Sequence, residues 1–242
     1  MSIQYSARGF VFGREDKAET DRVFSIFTEE FGRIKVFAKA IRKIKSKLKS
    51  GIDILSVSEI EFIQGKLQKT LTDAVFIKKF SNIISSPRRF KIANKIAKAL
   101  DDFIKEQERD SRLFNLLIDS LDKLNDDCLE NKNCNLIYDY FIWNFFSMLG
   151  FGPELKKCAN CYSKLSADEI YFSCKEGGII CNKCFNLNAD NQTKKISSDV
   201  VKILRLILEK DWQMISKLKI NFKIQKLMQE VSEDYYFYLL SK

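Results

Sequence analysis

The chain has 242 residues, of which 45% are hydrophobic and 20 are phenylalanine, so it can bury the core of one large domain or of two modest ones. It holds 41 Lys and Arg against 32 Asp and Glu, a net charge of +9 that favours polyanionic partners, nucleic acid before anionic membrane. The chain has no histidine, which excludes His-based general bases, Ser–His and Cys–His nucleophiles and mixed Cys/His metal sites.

The sequence shows no targeting or membrane signal. No apolar run approaches the roughly 18–20 residues that a membrane-spanning helix needs. The N-terminal sequence MSIQYSARGFVFGRED lacks the basic start, apolar core and cleavage site of a signal peptide. We therefore expect a soluble, cytoplasmic protein with no membrane partner. Seven cysteines, an odd number in a reducing compartment, argue against a disulfide framework.

Residues 6–80 have the composition of a β-domain, with short runs rich in Val, Ile and Phe that are separated by glycines or charged links. Alternation in 33-RIKVFAKA-40 predicts an inward face at Ile34, Val36 and Ala38. The residues expected to face outward are Arg33, Lys35 and Phe37. Five such strands in so short a segment predict a small closed barrel.

After Ser85 the periodicity becomes helical. Ser86-Pro87 is a helix-start signal, and apolar helical spacing follows to about Ile104. Further helices are predicted at about 110–125, 134–149, 198–210 and 220–240; the one at 134–149 is apolar nearly all round, which is typical of a buried central helix. The sequence thus predicts an α+β protein with a barrel domain at 1–80 and a helical domain at 81–242, interrupted by a cysteine-rich insert at about 153–190.

The insert contains two CxxC motifs, 158-CANC-161 and 181-CNKC-184. Each motif lets two thiolates reach one ion from a tight turn, and two motifs complete a tetrahedral Zn(II) shell of four sulfurs. The predicted ligands are Cys158, Cys161, Cys181 and Cys184. Such a shell leaves no open position for water, so the expected role of the zinc is structural. Cys174 lies between the motifs and could replace one ligand, but it has no CxxC partner, so the outer four are preferred.

The stretch 33-RIKVFAKAIRKIKSKLKS-50 holds eight cations and no acid. Cations on the outer face of a small barrel and on the loop that leaves it form a groove suited to a phosphate backbone. Lysine outnumbers arginine here, which favours backbone contact without sequence preference. Phe37 could stack a base, and Arg14 and Arg22 could join from neighbouring strands. A solvated basic loop or an anionic lipid contact remains the alternative.

Three phrases of the sequence resemble one family, the bacterial recombination mediator RecO. They are 7-ARGFVFGREDKAETDRVFSIFTEEFGRIKVFAKAIRKIKSKL-48, 148-MLGFGPELKKCANC-161 and 172-FSCKEGGIICNKC-184. Their order matches that family over nearly the whole chain. The phrases are together more specific than the cysteine spacing or the charge run alone. Cys174 departs from the family pattern, where a non-ligand such as Pro is more usual.

The resemblance implies an N-terminal OB-fold and a C-terminal helical domain that carries a zinc-ribbon-like insert. It implies binding to single- and double-stranded DNA, annealing of complementary strands, and action with RecR to help RecA replace the single-strand binding protein SSB, whose acidic tail contacts the helical domain. The expected location is the cytoplasm, in association with the nucleoid. No catalytic residue is expected.

The candidate sites combine the charge pattern with the resemblance. The expected nucleic-acid contacts are Arg14, Arg33, Lys35, Phe37, Lys39, Arg42, Lys43, Lys45, Lys47 and Lys49, and the expected metal ligands are the four CxxC cysteines. Two other functions remain open: a zinc-ribbon RNA-binding protein, and a cysteine-based redox enzyme. The enzyme alternative is weakened because the chain has no phosphate-cradling glycine loop of the Walker type and its CxxC motifs lack a βαβ setting.

Overall fold

The computed structural model describes residues 3–105, 109–126, 134–165, 169–188 and 192–242. The chain divides into two compact units, residues 1–134 and 135–242. The α+β class predicted from the sequence is confirmed, with a five-stranded barrel followed by helices and a small cysteine-bearing sheet. The first unit groups three helices with the barrel, whereas the predicted boundary at residue 80 follows the last strand; that boundary stays a prediction.

The barrel consists of five strands that close in the order β1-β2-β3-β5-β4. Their bounds are β1 Gln4–Lys17, β2 Asp21–Thr28, β3 Gly32–Ala38, β4 Ser56–Gln64 and β5 Lys69–Lys79. All neighbours pair antiparallel except β3 and β5, which close the barrel through a short parallel contact at Val36–Lys69 and Phe37–Thr70. Closure removes the exposed edges that an open five-stranded sheet would leave.

The barrel interior follows the alternation read from the sequence. Ile34, Val36 and Ala38 are fully buried in one apolar cluster with Phe24 and Ile60, while the residues between them on β3 face outward. Because side chains alternate along a strand, a one-residue slip in register would place Arg33 and Lys35 of β3 in this core. The prediction of an inward apolar face on β3 is confirmed.

Three helices complete the first unit, α1 Ser81–Ser85, α2 Pro87–Phe103 and α3 Ser111–Asp126. The predicted cap at Ser86 is present, since its hydroxyl accepts a hydrogen bond from the Arg89 amide, with Pro87 in the first turn. Helix α3 covers the outside of the barrel, where Phe27 and Phe114 lie with ring centroids 6.3 Å apart.

The second unit is organised around α4, Cys134–Met148, which is buried as its sequence predicts. Trp143 stacks on Tyr235 at 5.4 Å and donates to the Ser232 hydroxyl, which donates in turn to the Asp139 carboxylate. The polar groups of this buried core are therefore paired. The remaining helices of the unit are α5 Asn182–Asn188, α6 Ser198–Leu208, α7 Trp212–Ile215 and α8 Phe222–Leu240.

The insert folds as a three-stranded sheet in the order β7-β6-β8, with β6 Ile170–Ser173, β7 Gly178–Cys181 and β8 Thr193–Ile196. Gly178 lies against the backbone of Glu154, where a Cβ atom would come within 2.4 Å of the Glu154 carbonyl oxygen. Only glycine allows β7 and the segment before the first CxxC to come this close. Within the described ranges, no helix has the length and apolar character needed to cross a bilayer.

Candidate nucleic-acid interface and metal centre

The basic loop, residues 39–50, leaves β3 and ends in a short 3₁₀ helix at Lys47–Ser50. Two of its apolar residues point inward: Ile41 is buried in the barrel cluster and Leu48 packs against that cluster, and Ile52, just after the loop, lies in the same core. Gly51 lies against β5, where a Cβ atom would come within 1.6 Å of the Ala74 carbonyl oxygen. The loop is therefore a capping element of the barrel with its cations on the outer side.

Asp21 fixes the start of the basic loop. Its carboxylate accepts hydrogen bonds from the Ala40 amide at 2.7 Å and from the Thr20 hydroxyl at 2.9 Å. The Ala40 amide, more than any other group, lowers the pKa of Asp21, and Lys39 and Lys43 lower it further. The Arg42 amide also donates to the Thr20 carbonyl. These bonds order the backbone that carries the lysines.

The lysines of the basic loop are exposed, and none of them forms an ion pair with a residue that the structure describes. They are Lys39, Lys43, Lys45, Lys47 and Lys49. Surface charges of one sign on a short loop raise the local potential and attract polyanions. These five residues are the strongest candidates for contacts with phosphates.

The arginines predicted for the same surface are already paired within the barrel. Arg14 lies 2.7 Å from Asp53, and Arg42 lies 3.3 Å from Asp16. Lys35 approaches Glu15 only at the limit of an ion pair, 4.0 Å. Exposed pairs of this kind contribute little to stability, but they offset part of the positive charge.

Arg33 is placed differently from the other predicted contacts. Its guanidinium donates to the carbonyls of Asp101 and Ile104 and to the Asp101 carboxylate, at the C-terminal end of α2, and its side chain is only 13% exposed. Cations are favoured at helix C-termini because unpaired carbonyls gather there. Arg33 therefore holds α2 to the barrel, and its predicted contact with DNA would have to use whatever donor capacity remains.

Two apolar side chains lie beside the cations. Phe37 is half-buried on the outer face of β3, opposite Val23 on β2. Ile44, between Lys43 and Lys45 at the tip of the basic loop, is 98% exposed. The sequence interpretation identified Phe37 and overlooked Ile44, whose signal was an isolated aliphatic residue inside a run of lysines.

A cavity of about 410 Å³ lies where the β4–β5 hairpin meets β3, and we refer to it as the hairpin cavity. Four cations line it, namely Arg33, Lys35, Lys69 and Lys105. Gln64, Gln68, Leu67 and the strand residue Ile34 complete the wall. The sequence interpretation found only Arg33 and Lys35. The hairpin turn 65-GKLQK-69 could have indicated Leu67, Gln68 and Lys69 only if its place next to β3 were known.

The four CxxC cysteines converge as predicted. Their sulfur atoms all lie within 4.8 Å of one another, and Cys161 and Cys181 are 3.8 Å apart. Four thiolates bound to zinc at about 2.3 Å would be separated by about 3.8 Å, so the donor set and its spacing fit Zn(II). Cys158 and Cys184 are buried, whereas Cys161 is exposed.

The turns around the cluster place hydrogen-bonding groups beside two of its sulfurs. The Cys181 amide donates to the Cys158 sulfur at 3.4 Å, and the Ser163 hydroxyl lies 3.0 Å from the Cys161 sulfur. The bond from Ser163 lowers the pKa of Cys161 to about 6, while burial raises the pKa of Cys184 to about 12. Cys174 is buried and does not belong to the cluster.

The insert is tied to the helices of its own unit. Arg205 on α6 donates to the Leu155 carbonyl, and the Tyr235 hydroxyl on α8 donates to the Phe151 carbonyl at 3.0 Å. Phe172 on β6 packs edge-on against Trp143 of α4 at 5.6 Å. The insert that carries the cysteine cluster is therefore packed against α4, the central helix of the second unit.

The fold and its two candidate sites define the chain as an OB-fold protein whose helical domain carries a four-cysteine, zinc-ribbon-like insert. The chain belongs to the RecO family of DNA repair and recombination proteins. Residues 1–80 match the family model described as "Recombination protein O N terminal", and residues 85–242 match "Recombination protein O C terminal". The resemblance seen in the sequence is confirmed.

Curated relatives match over nearly the full length. The chain is 35% identical to "DNA repair protein RecO" of Dehalococcoides mccartyi strain 195 over 220 residues, which cover 91% of this chain and 84% of the relative. It is 30% identical to proteins of the same name from Alkaliphilus metalliredigens, over 94% of this chain and 90% of the relative, and from Thermodesulfovibrio yellowstonii, over 98% and 94%.

Proposed function

We propose that this protein is a recombination mediator that binds single- and double-stranded DNA without sequence preference and anneals complementary strands. In the same proposal it acts with RecR to help load RecA onto DNA coated by SSB, whose acidic tail it contacts, and it works in the cytoplasm at the nucleoid. Family membership supports this role over the zinc-ribbon RNA-binding protein and the cysteine-based redox enzyme.

The observation that carries the proposal is the row of five lysines on the anchored basic loop. Each lysine can neutralise a phosphate and release a counterion, which is a sequence-independent source of affinity. Lys presents a point charge and not a planar fork, so it grips the backbone without reading base edges. Because the loop is held by Ile41 and Ile52, the lysines are presented at little cost in loop ordering.

Annealing follows from the same electrostatics. Two complementary strands repel each other through their phosphates, and a protein that neutralises both backbones lowers this repulsion while the base edges stay free to pair. No bond is broken, so the reaction needs no catalytic residue. We assign the contacts to Lys39, Lys43, Lys45, Lys47 and Lys49, with Lys35, Arg14, Arg42 and Phe37 at the margin and Arg33 as the residue that fixes α2.

We propose Zn(II) as the occupant of the four-cysteine cluster, held by Cys158, Cys161, Cys181 and Cys184. The all-sulfur donor set suits zinc, and four protein ligands leave no position for a substrate. When bound, the metal supplies cross-linking of the two turns. This chain would hold the metal with its partly buried sulfurs. The sulfur of Cys158 also accepts a hydrogen bond from the Cys181 amide.

The decisive experiment is annealing of complementary oligonucleotides on SSB-coated DNA, with and without RecR. We expect annealing of bare strands by the protein alone, and RecA filament formation on coated DNA only when RecR is also present. Failure to anneal bare strands at low salt would overturn the mediator proposal. SSB lacking its acidic tail tests the SSB contact: strands coated with it should anneal less well than strands coated with intact SSB, and bare strands are the reference.

A further inference from the structure

We propose that the turn around the first CxxC motif is a second contact for single-stranded DNA, in which the ring of Tyr162 stacks on one unpaired base. We refer to residues 156–164 as the Tyr162 turn; their sequence is KKCANCYSK. This inference rests on the proposed function, because the strand is the same ligand. It adds a contact in the second unit, which the basic loop does not supply.

Tyr162 has a backbone conformation that a tyrosine rarely adopts. Its φ is +61°, in the left-handed region, where a bulky side chain is crowded and glycine is free. Hydrogen bonds of the turn impose this conformation: the Tyr162 amide donates to the Cys158 carbonyl, and the Cys158 amide donates to the Ser163 carbonyl, both at 2.9 Å. The turn therefore explains the left-handed backbone, but it does not explain why the side chain is a tyrosine.

Packing does not explain the tyrosine either. Leu55 also has a positive φ, and its side chain is buried in the barrel, so the core accounts for it. The side chain of Tyr162, in contrast, is 67% exposed. Elsewhere in the insert, Tyr171 stacks on Phe185 with ring centroids 3.8 Å apart. An aromatic ring that is left open at a strained position is typical of a binding surface.

The Tyr162 turn carries three exposed lysines and no acid. The ammonium group of Lys157 lies 4.6 Å from the centroid of the Tyr162 ring. Neither Lys156, Lys157 nor Lys164 forms an ion pair with a described residue. Glu154, the acid just before the turn, accepts hydrogen bonds from two backbone amides of the turn. The positive charge of the side chains is therefore available to an anion.

Two of the lysines face each other. Lys157 and Lys164 pair across an antiparallel bridge, and like charges directly opposite each other are destabilising. The turn thus combines two locally unfavourable choices, a left-handed tyrosine and facing lysines. Such violations of local rules are expected at functional sites. A phosphate near the two ammonium groups would relieve their repulsion, and a base would cover the open face of the ring. A nucleotide of a strand supplies both groups.

Stacking on Tyr162 requires a base with a free face. In a single strand the bases can turn outward, and stacking on an aromatic side chain tolerates any sequence because every base has a π-face. In a duplex each base is paired and stacked on its neighbours, so it must be extruded first. The ring therefore adds affinity for single strands, whereas the lysines of the basic loop accept both forms.

The test is Tyr162→Gly in the full-length, zinc-loaded protein. Glycine suits the left-handed backbone, so we expect the zinc content and the unfolding midpoint to stay the same or the midpoint to rise. Fluorescence anisotropy with oligo-dT should show single-strand binding weakened on the order of five-fold. The salt slope should not change, because no charge is removed, and binding of a duplex should be unaffected.

Two control variants isolate the ring. Tyr162→Phe keeps the stacking face and should bind like the wild type. Leu187→Ala removes another exposed apolar side chain of the insert, 78% exposed on α5, and should also leave binding unchanged. A strand that carries 5-iodo-deoxyuridine gives a direct readout, since ultraviolet light should cross-link it to Tyr162, with the site identified by mass spectrometry.

Several outcomes would overturn the contact at Tyr162. They are wild-type single-strand binding by Tyr162→Gly, an equal loss in Leu187→Ala, and the absence of a cross-link within residues 156–164. Loss of zinc or of stability in Tyr162→Gly would give the tyrosine a structural role and would equally overturn it. An effect of the variant on oligo-rU but not on oligo-dT would assign the turn to RNA instead.

The contact at Tyr162 and the proposed function fail separately. If Lys43→Glu with Lys45→Glu weakens DNA binding but Tyr162→Gly does not alter the ratio of single-strand to duplex affinity, the basic loop is retained and the second contact is rejected. If the double lysine variant binds like the wild type, the proposed function loses its carrying observation whatever Tyr162→Gly does.

Discussion

The basic loop and the cysteine cluster are both short turns that present charged groups to a ligand, but they are stabilised in opposite ways. The loop buries Ile41 and packs Leu48 against the barrel core, and its lysines form no ion pair with a described residue. The cluster buries two of its own ligand atoms, the sulfurs of Cys158 and Cys184. The fold of the loop therefore does not depend on its ligand, whereas the fold of the cluster does.

This difference predicts that metal binding and DNA binding can be separated. A site whose ligand groups are exposed keeps its backbone when the ligand leaves, and its affinity falls steeply with salt. A site whose ligand groups are buried loses its cross-link when the metal leaves, and its affinity responds to chelators and acid. Three experiments test the comparison.

The largest expected effect is that of metal loss. Cys158→Ser removes a buried ligand, and because zinc binding contributes roughly 10 kcal/mol or more in small zinc domains, we expect the unfolding midpoint of the second unit to fall by at least about 10 °C. Metal content by mass spectrometry and a calorimetric scan measure both quantities. Cys174→Ser is the matched control, since this buried cysteine lies outside the cluster and should keep its metal.

The same Cys158→Ser protein should still bind oligonucleotides at low salt, because the uncompensated lysines belong to the other unit. Loss of DNA binding in parallel with loss of zinc would break the separation of the two sites. Retained binding with a lowered midpoint would confirm it.

The second effect is that of charge on the basic loop. Lys43→Glu with Lys45→Glu should weaken single-strand binding by more than about ten-fold. If about five phosphates are neutralised, the slope of log K against log[salt] is about −3.5, and loss of two contacts should bring it to about −2. Lys217→Glu with Lys219→Glu changes the net charge equally at exposed positions in the second unit and should leave the slope unchanged.

A smaller effect is expected at Asp21, which anchors the loop backbone. The pKa of Asp21 in the folded protein is lowered, so the stabilisation that it provides is present above its unfolded value near 3.9 and is lost as pH falls through the folded value. Asp21→Asn weakens the bond to the Ala40 amide, and we expect faster hydrogen exchange there at neutral pH. In the wild type, protection of this amide should persist down to about pH 4.

Thr20→Val is the control for that experiment, because it removes the lesser of the two side-chain bonds to Asp21 and leaves the Ala40 contact in place. Equal exchange at Ala40 in Asp21→Asn and the wild type would show that the loop holds its shape without this anchor.

The elements that sequence predicted well are those governed by neighbours in the chain. Alternation placed Ile34 and Val36 in the barrel, Ser86-Pro87 began α2 at its observed position, and the CxxC spacing brought four sulfurs together. Each of these depends on a local period or a short turn, and such signals survive without knowledge of the fold.

The features that sequence could not supply depend on pairs far apart in the chain. Arg33 and Asp101 are 68 residues apart, and nothing near Arg33 indicates that its charge is used by a helix end. Arg42 counted as a free cation in the charge run, but Asp16 lies 3.3 Å away in the folded barrel. A charge run gives the sum of the cations; only the folded chain shows which of them remain available.

The cover that α3 lays over the barrel has a practical consequence for dissecting the protein. A fragment cut at residue 80 would lack Phe114, which packs against Phe27, and the helix end to which Arg33 donates. It would therefore expose an apolar patch on the barrel and leave the Arg33 guanidinium without these acceptors. We expect such a fragment to aggregate, so a negative gel shift with it would not test whether the lysines of the basic loop bind DNA. A cut beyond α3, near residue 134, keeps the first compact unit together for that purpose.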